Sequence, residues 1–482
     1  MRSRWPLLTD LYQLTMVGGY VKEGKKDQWA NFDYFFRKVP DNGGFCIMAG
    51  LEDLIDYIQN LRFSKEELSF LESLRLFSED ILDYFENFKF SGDIWAIPEG
   101  NVVFPHEPLI RVTAPLPEAQ LIETTLLNIM NFQILIATKA ARVRWAAQGD
   151  TVIDFGLRRA HGPDGALMAT RAAYIGGVDG TSNVLAGMIY GIPVRGTHAH
   201  SWIESFPTEL ESFRSYARVY PENAILLVDT YDTLKMGLPD AIQVGKELKE
   251  KGYRLRGIRL DSGDLAYLSK EARRMLDEAG FKDSIIVGSS DLDEWIIESL
   301  KRQGAKIDVW GVGTRLVTSY SCPALGGVYK LTALNENGKK MVPKIKISDN
   351  PEKITNPGLK KVIRVYDRNG QMRGDVLFLE EEDYRKRRLL KVYHPHYSHV
   401  FKVYPMHFEF KEMMIPIFSK GELVYKSPDI HSIREKTLKN LESLDPAYKR
   451  FQNPHTYHVS LSPRLFKIKQ KLLMKATKEL RG

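Results

Sequence analysis

An arginine and two carboxylates stand close together in Arg259-Leu-Asp261-Ser-Gly-Asp264. A guanidinium binds anionic groups through paired hydrogen bonds, and carboxylates beside it can take ribose hydroxyls or a Mg²⁺ that holds pyrophosphate. Asp264 equally suits the N-cap of a helix starting near Ala266. Farther along, Gly311-Val-Gly313-Thr314 could bring backbone N–H groups and a hydroxyl against an anion, although glycines also mark plain turns. Gly196-Thr197-His198-Ala-His200-Ser places two histidines at i and i+2, one face of a strand. They could bind a metal, but no third ligand is nearby. They could act in acid–base or nucleophilic chemistry, which needs an orienting carboxylate such as Asp229 or Asp232. The plain alternative is a histidine packed in a core. Near the start, Thr9-Asp10-Leu-Tyr12 reads as a helix start with Asp10 as N-cap.

The elements that must position these groups are apolar runs with polar C-terminal ends. They cover 224–229, 257–264, 284–291 and 306–314, with an earlier run at 151–159 that ends in Phe155, Arg158 and Arg159. Helical stretches at 241–251, 266–278 and 292–302 separate the later four, and Gly252, Gly280 and Gly304 end them. Strands apolar along their length and charged at the C-terminal end are how an α/β barrel builds a site. The expected class is therefore α/β, in three parts: an α+β domain over 1–135, the barrel over 136–335, and a β-rich then helical part over 336–482. Asn337-Gly338 and Asn369-Gly370 read as hairpin turns, and the basic tail over 464–481 as an amphipathic helix.

Composition narrows the partners. The 482 residues are 43% hydrophobic and 27% charged, as in an ordinary globular enzyme, and exceed one domain. A net charge of +7 arises from 68 basic and 61 acidic residues that are interspersed. No basic stripe with aromatics stands out, so the excess suits polyphosphate ligands better than nucleic acid. No run is long and apolar enough to cross a membrane and no signal-type run opens the chain, so no membrane role is expected. Cys46 and Cys322 alone make no disulfide framework, which suggests a reducing, cytoplasmic setting.

Seven segments in order resemble the nicotinate phosphoribosyltransferases. They are Leu8-Thr-Asp10-Leu-Tyr12-Gln-Leu-Thr, Asp154-Phe155-Gly-Leu-Arg158-Arg159, Gly180-Thr-Ser-Asn183, the histidine motif ending at His200-Ser, Arg259-Leu-Asp261-Ser-Gly-Asp264, Gly311-Val-Gly313-Thr314, and Lys344-Ile-Lys346-Ile-Ser with Lys353-Ile-Thr-Asn-Pro-Gly358. The resemblance implies the irregular α/β barrel of the type II phosphoribosyltransferases. It also implies transfer of a phosphoribosyl group from phosphoribosyl pyrophosphate (PRPP) to nicotinate, with Mg²⁺, and with ATP as co-substrate through a phosphohistidine. On that basis His200 is the phosphorylated residue and Asp229 its orienting carboxylate. Tyr12 and Phe155 sandwich the pyridine ring. Arg158, Thr197 and Arg259 serve nicotinate, while Asp261, Gly288, Ser289, Gly313 and Thr314 serve the ribose-phosphate side. Tyr12 would reach the site of a second copy, so a homodimer with shared sites is implied. The nicotinamide-using relative has an Asp where Ser182 stands, and a carboxylate there would repel nicotinate. That relative, the quinolinate-using enzyme, which lacks the Gly-Thr-x-Ala-His motif, and a non-catalytic barrel binding protein are the alternatives.

Overall fold

The computed structural model describes residues 6–336, 340–385, 389–397 and 399–479. The chain divides into a central unit, Ile136–Pro323, and a unit built from both chain ends, Met1–Leu135 and Ala324–Gly482.

The central unit is one sheet of six strands: Thr151–Asp154 (β1), Gly180–Thr181 (β2), Ile225–Leu227 (β3), Gly257–Leu260 (β4), Ile285–Ser290 (β5) and Val309–Val312 (β6). Their order is β2-β1-β6-β5-β4-β3, and every pairing is parallel. Parallel neighbours need a crossover, which helices supply here. Val152, Leu226, Ile258, Ile286 and Trp310 are fully buried, as strands covered by helices require. The sheet runs from edge β2 to edge β3, an α/β half-barrel.

The helices end where their chemistry says they should. Leu238–Glu250, Leu265–Glu278 and Glu294–Arg302 are followed by Gly252, Gly280 and Gly304 at φ of 80°, 84° and 78°, a left-handed conformation that glycine adopts without strain. Asp264 is a helix cap, its Oδ1 accepting the Tyr267 N–H at 3.0 Å. Asp293 caps Glu294–Arg302 by accepting from Trp295 and Ile296, and its other oxygen pairs with Arg315 at 2.6 Å. That ion pair ties the segment after β6 to the segment after β5.

The other unit draws on both chain ends, which the sequence reading assigns to separate parts. Strand Trp29–Phe36 pairs antiparallel with Ile110–Pro115 on one side and Gly327–Glu336 on the other, so the two chain ends share one seven-stranded sheet. A buried ion pair between Lys360 and Asp33, 2.8 Å, also joins them. A second sheet of six strands holds the Arg364–Asp375 pair at 2.7 Å, fully buried and bidentate. The hairpin at Asn369-Gly370 is present, with Asp367 accepting the N–H groups of Asn369 and Gln371. Asn337-Gly338 lies outside the described residues, as does the last part of the basic tail, whose helix spans Pro463–Glu479. No helix among the described residues is long and apolar enough to cross a membrane.

Candidate active site

At the C-terminal ends of β1, β4, β5 and β6 lies a cavity of about 220 Å³. Phe155, Arg158 and Arg159 line it from beyond β1, Arg259 and Asp261 from β4 and its end, Ser289, Ser290 and Asp291 from β5 and its end, and Gly311, Gly313 and Thr314 from β6 and the turn after it.

Arg259 is the hub. Its side chain is 15% exposed. It donates from Nε to Ser289 Oγ (2.8 Å), from one terminal nitrogen to Thr197 Oγ1 (3.1 Å) and from the other to Asp261 Oδ1 (2.7 Å). Its guanidinium carbon lies 5.4 Å from the Phe155 ring centroid. A guanidinium locked by three partners and an aromatic face is preorganised. Burial alone would raise the Asp261 carboxyl, but the Ser289 hydroxyl, Arg259 and His200 together hold it below the usual carboxylate range. Asp261 is therefore an anion in a site that also holds Arg158, Arg159 and Arg259.

His200 opens a short helix, His200–Glu204, and its side chain is 39% exposed. Nδ1 lies 3.0 Å from Thr230 Oγ1, and Nε2 faces Asp261 Oδ2 at 3.9 Å. Asp229 is not the residue paired with the ring. Its Oδ2 accepts the backbone N–H of Asp261 and the hydroxyl of Ser262, each at 2.7 Å, so it braces the loop that carries Asp261. His198 turns the other way. Its Nε2 accepts the Leu227 N–H at 3.3 Å, its ring packs 4.7 Å from Tyr216, and burial lowers its pKa to about 4, keeping it neutral. It is the packed core histidine of the plain reading.

Two glycines owe their place to packing. A Cβ on Gly311 would meet Phe155 Cδ2 and Cε2 at 2.5 Å, and one on Gly288 would meet Ile307 Cδ1 at 2.7 Å. Gly288 does not line the cavity. Gly311→Ala should push Phe155 off its seat and cost about 1–3 kcal/mol of stability, as overpacking does. Denaturant unfolding checks this, and an unchanged midpoint would contradict it.

Sequence reasoning gave Asp154, Thr230 and Ser290 no role. Buried Asp154 accepts from Gly156 N (2.8 Å), Thr170 Oγ1 (3.0 Å) and Thr181 Oγ1 (2.9 Å), fixing the turn that presents Phe155 and Arg158. Ser182 donates its N–H to the Asp154 carbonyl at 2.9 Å. Ser290 has φ 140°, a region L-residues rarely adopt, at the cavity wall. Thr230, whose hydroxyl meets His200 Nδ1, and Asp291, on the cavity wall, lie beside residues already marked. Tyr12 belongs to the other unit, on helix Leu11–Lys22, and is 49% exposed.

The family profiles decide what this site belongs to. Residues 7–131 match the nicotinate phosphoribosyltransferase N-terminal domain, 151–380 the nicotinate phosphoribosyltransferase family, and 359–469 its C-terminal domain. The chain is 49% identical over 457 residues to nicotinate phosphoribosyltransferase of Bacillus subtilis, covering 95% of this chain and 92% of that one.

The chain belongs to the nicotinate phosphoribosyltransferase family.

It is also 34% identical to the Homo sapiens nicotinate phosphoribosyltransferase, over 95% of each chain. The crystal structure of human nicotinic acid phosphoribosyltransferase superposes with a TM-score of 0.86 at 31% identity, covering 97% of this chain and all of that one. The nicotinate phosphoribosyltransferase fold thus extends over both units, and the half-barrel with its loop cavity is its type II phosphoribosyltransferase core.

Proposed function

We propose that this chain joins nicotinate to PRPP, giving nicotinate mononucleotide and pyrophosphate, and hydrolyses ATP through a phosphohistidine on His200. The observation that carries the reading is the preorganised Arg259–Asp261–Ser289 cluster beside His200 at the strand ends. Nicotinate's carboxylate would sit against Arg158, with Arg259 and Thr197 behind, and its ring on Phe155. The ribose and phosphates of PRPP would lie along Asp261, Ser289, Gly313 and Thr314. The transition state loses pyrophosphate and leaves positive charge on the ribose, so these residues act by positioning and by placing Asp261's negative charge near that sugar.

Mg²⁺ fits this site as a guest of the phosphates. No group of three His, Cys, Asp or Glu among the described residues could hold a metal. Mg²⁺ typically needs one or two carboxylates plus substrate phosphates. Asp261 through Oδ2 and Asp291 would supply them. When bound, the ion neutralises the departing pyrophosphate.

His200 suits a nucleophile because Thr230 fixes its ring and solvent reaches it. A homodimer with shared sites is supported by exposed Leu11, Tyr12 and Met16 at helical spacing on Leu11–Lys22, with exposed Leu8 just before the helix. Tyr12→Ala should leave the fold intact and weaken nicotinate binding by about 1–2 kcal/mol, through lost ring stacking. A chain that is monomeric at assay concentration yet fully active would contradict the shared site.

The basic test is product formation. The purified chain given nicotinate, PRPP and Mg²⁺ should release nicotinate mononucleotide and pyrophosphate in equal amounts, faster with ATP. Absence of either product would refute the reading.

A further inference from the structure

A larger cavity lies elsewhere, and the catalytic chemistry does not use it. It encloses about 820 Å³, is lined wholly by residues of the unit that holds the chain ends, and shares no residue with the cavity at the strand ends. Its walls carry Arg37, Lys38, His106, His394, His396 and His455. Asp41 and Glu352 are its only lining carboxylates, and Glu352 is 3.7 Å from Lys38.

Three features point to an anionic ligand. First, the lining cations Arg37 and Lys38 are matched by Asp41 and Glu352, and a further cation lies behind them. Behind the wall Lys469 is almost fully buried, with Asn356 Oδ1 at 2.8 Å as a neutral partner. Burial, Lys469, Arg37 and His394 depress His106 to about 4, and burial, Lys469, His106 and His394 do the same to His396. An anion would relieve each of these repulsions. Second, donors stand ready. Arg37 Nε and His396 Nε2 are buried without a hydrogen-bond partner. His394 Nδ1 accepts the N–H groups of His396 and Tyr397 (3.1 and 3.2 Å), which fixes this loop and leaves its Nε2 as the protonated atom. Third, strain gathers here. Of nine non-glycine residues with positive φ among the described residues, four line this cavity: Asp41, Asn42, His106 and Asn453, at 55°, 50°, 68° and 47°. Such conformations persist where surrounding structure holds them and cluster at ligand sites.

The remaining walls are aromatic and amide-bearing. Tyr397, Phe451 and Tyr457 supply flat apolar surface, and Gln452 and Asn453 supply donors and acceptors. The volume lies within the range of small-molecule sites, roughly 300–1,000 Å³.

We propose that this cavity is an accessory site for a nucleotide, a phosphorylated molecule with an aromatic base, its phosphate held by Arg37 and the histidines and its base against the tyrosines. The site does not rest on the catalytic reading. Two sources share this chemistry, an adenine nucleotide and a pyridine mononucleotide, and the test separates them.

Diethyl pyrocarbonate modifies neutral imidazoles, so the full-length protein can be footprinted histidine by histidine with AMP, nicotinate mononucleotide or inorganic phosphate present. One nucleotide should slow modification of His106, His394 and His396 together, about tenfold at ten times its Kd by mass action. The nucleotide that protects identifies the source. In His106→Asn/His396→Asn, equilibrium dialysis with that nucleotide should lose one bound equivalent per chain while kcat/KM for nicotinate stays as in the unaltered protein. No protection by either nucleotide, protection by phosphate as strong as by nucleotide, unchanged stoichiometry in the variant, or a folded variant that has lost nicotinate transfer would each overturn the proposal. If the variant does not fold, the footprint on the unaltered protein still decides.

Discussion

His200→Ala should reduce ATP hydrolysis to below about a thousandth of the unaltered rate, because the proposed step is covalent and needs an imidazole lone pair. Nicotinate transfer should survive as a slow, uncoupled reaction, since Arg259, Asp261, Ser289 and Phe155 hold each other without the imidazole. His198→Ala should be far milder on ATP hydrolysis. That ring is buried against Tyr216 and caps a backbone N–H, so its loss costs packing rather than chemistry. Asp229→Asn has a different signature. Its carboxylate braces Asp261 and Ser262 rather than the His200 ring, so both ATP hydrolysis and nicotinate transfer should fall together. Acid-labile, base-stable label from γ-labelled ATP, mapped by peptide, checks the assignment. Label on His198, or full hydrolysis in His200→Ala, would overturn it.

The central unit was largely legible in the sequence because its signals are local. Apolar runs ending in charge marked β1 and β3 through β6, and Gly252, Gly280 and Gly304 marked helix ends. Only the two-residue strand β2, Gly180–Thr181, carried too short a run to read as a strand. The site residues at those strand ends followed from the same pattern, and the resemblance added their chemistry. What stayed hidden depends on contacts between distant segments. Asp229 stands one residue from Thr230, and spacing cannot say which of them meets His200 and which meets the Asp261 loop. Asp154 reads as one more polar strand end, yet it is buried and holds three donors. Gly311 suggests an anion loop, but the Phe155 ring alone excludes a Cβ there. The pairing of Trp29–Phe36 with Gly327–Glu336 joins strands some three hundred residues apart, and no periodicity records such a partner.

Base selectivity bears most directly on the central claim. Arg158 and Arg259 face a cavity whose only carboxylates, Asp261 and Asp291, lie on the ribose-phosphate side of the proposed pose. Nicotinamide would offer the Arg158 guanidinium no carboxylate, so the contact that orients the base is lost. Steady-state rates with nicotinate and with nicotinamide, each with PRPP and Mg²⁺ and both with and without ATP, measure this. The expected kcat/KM for nicotinate exceeds that for nicotinamide by at least ~100-fold under both conditions. Comparable values for the two bases would contradict the account.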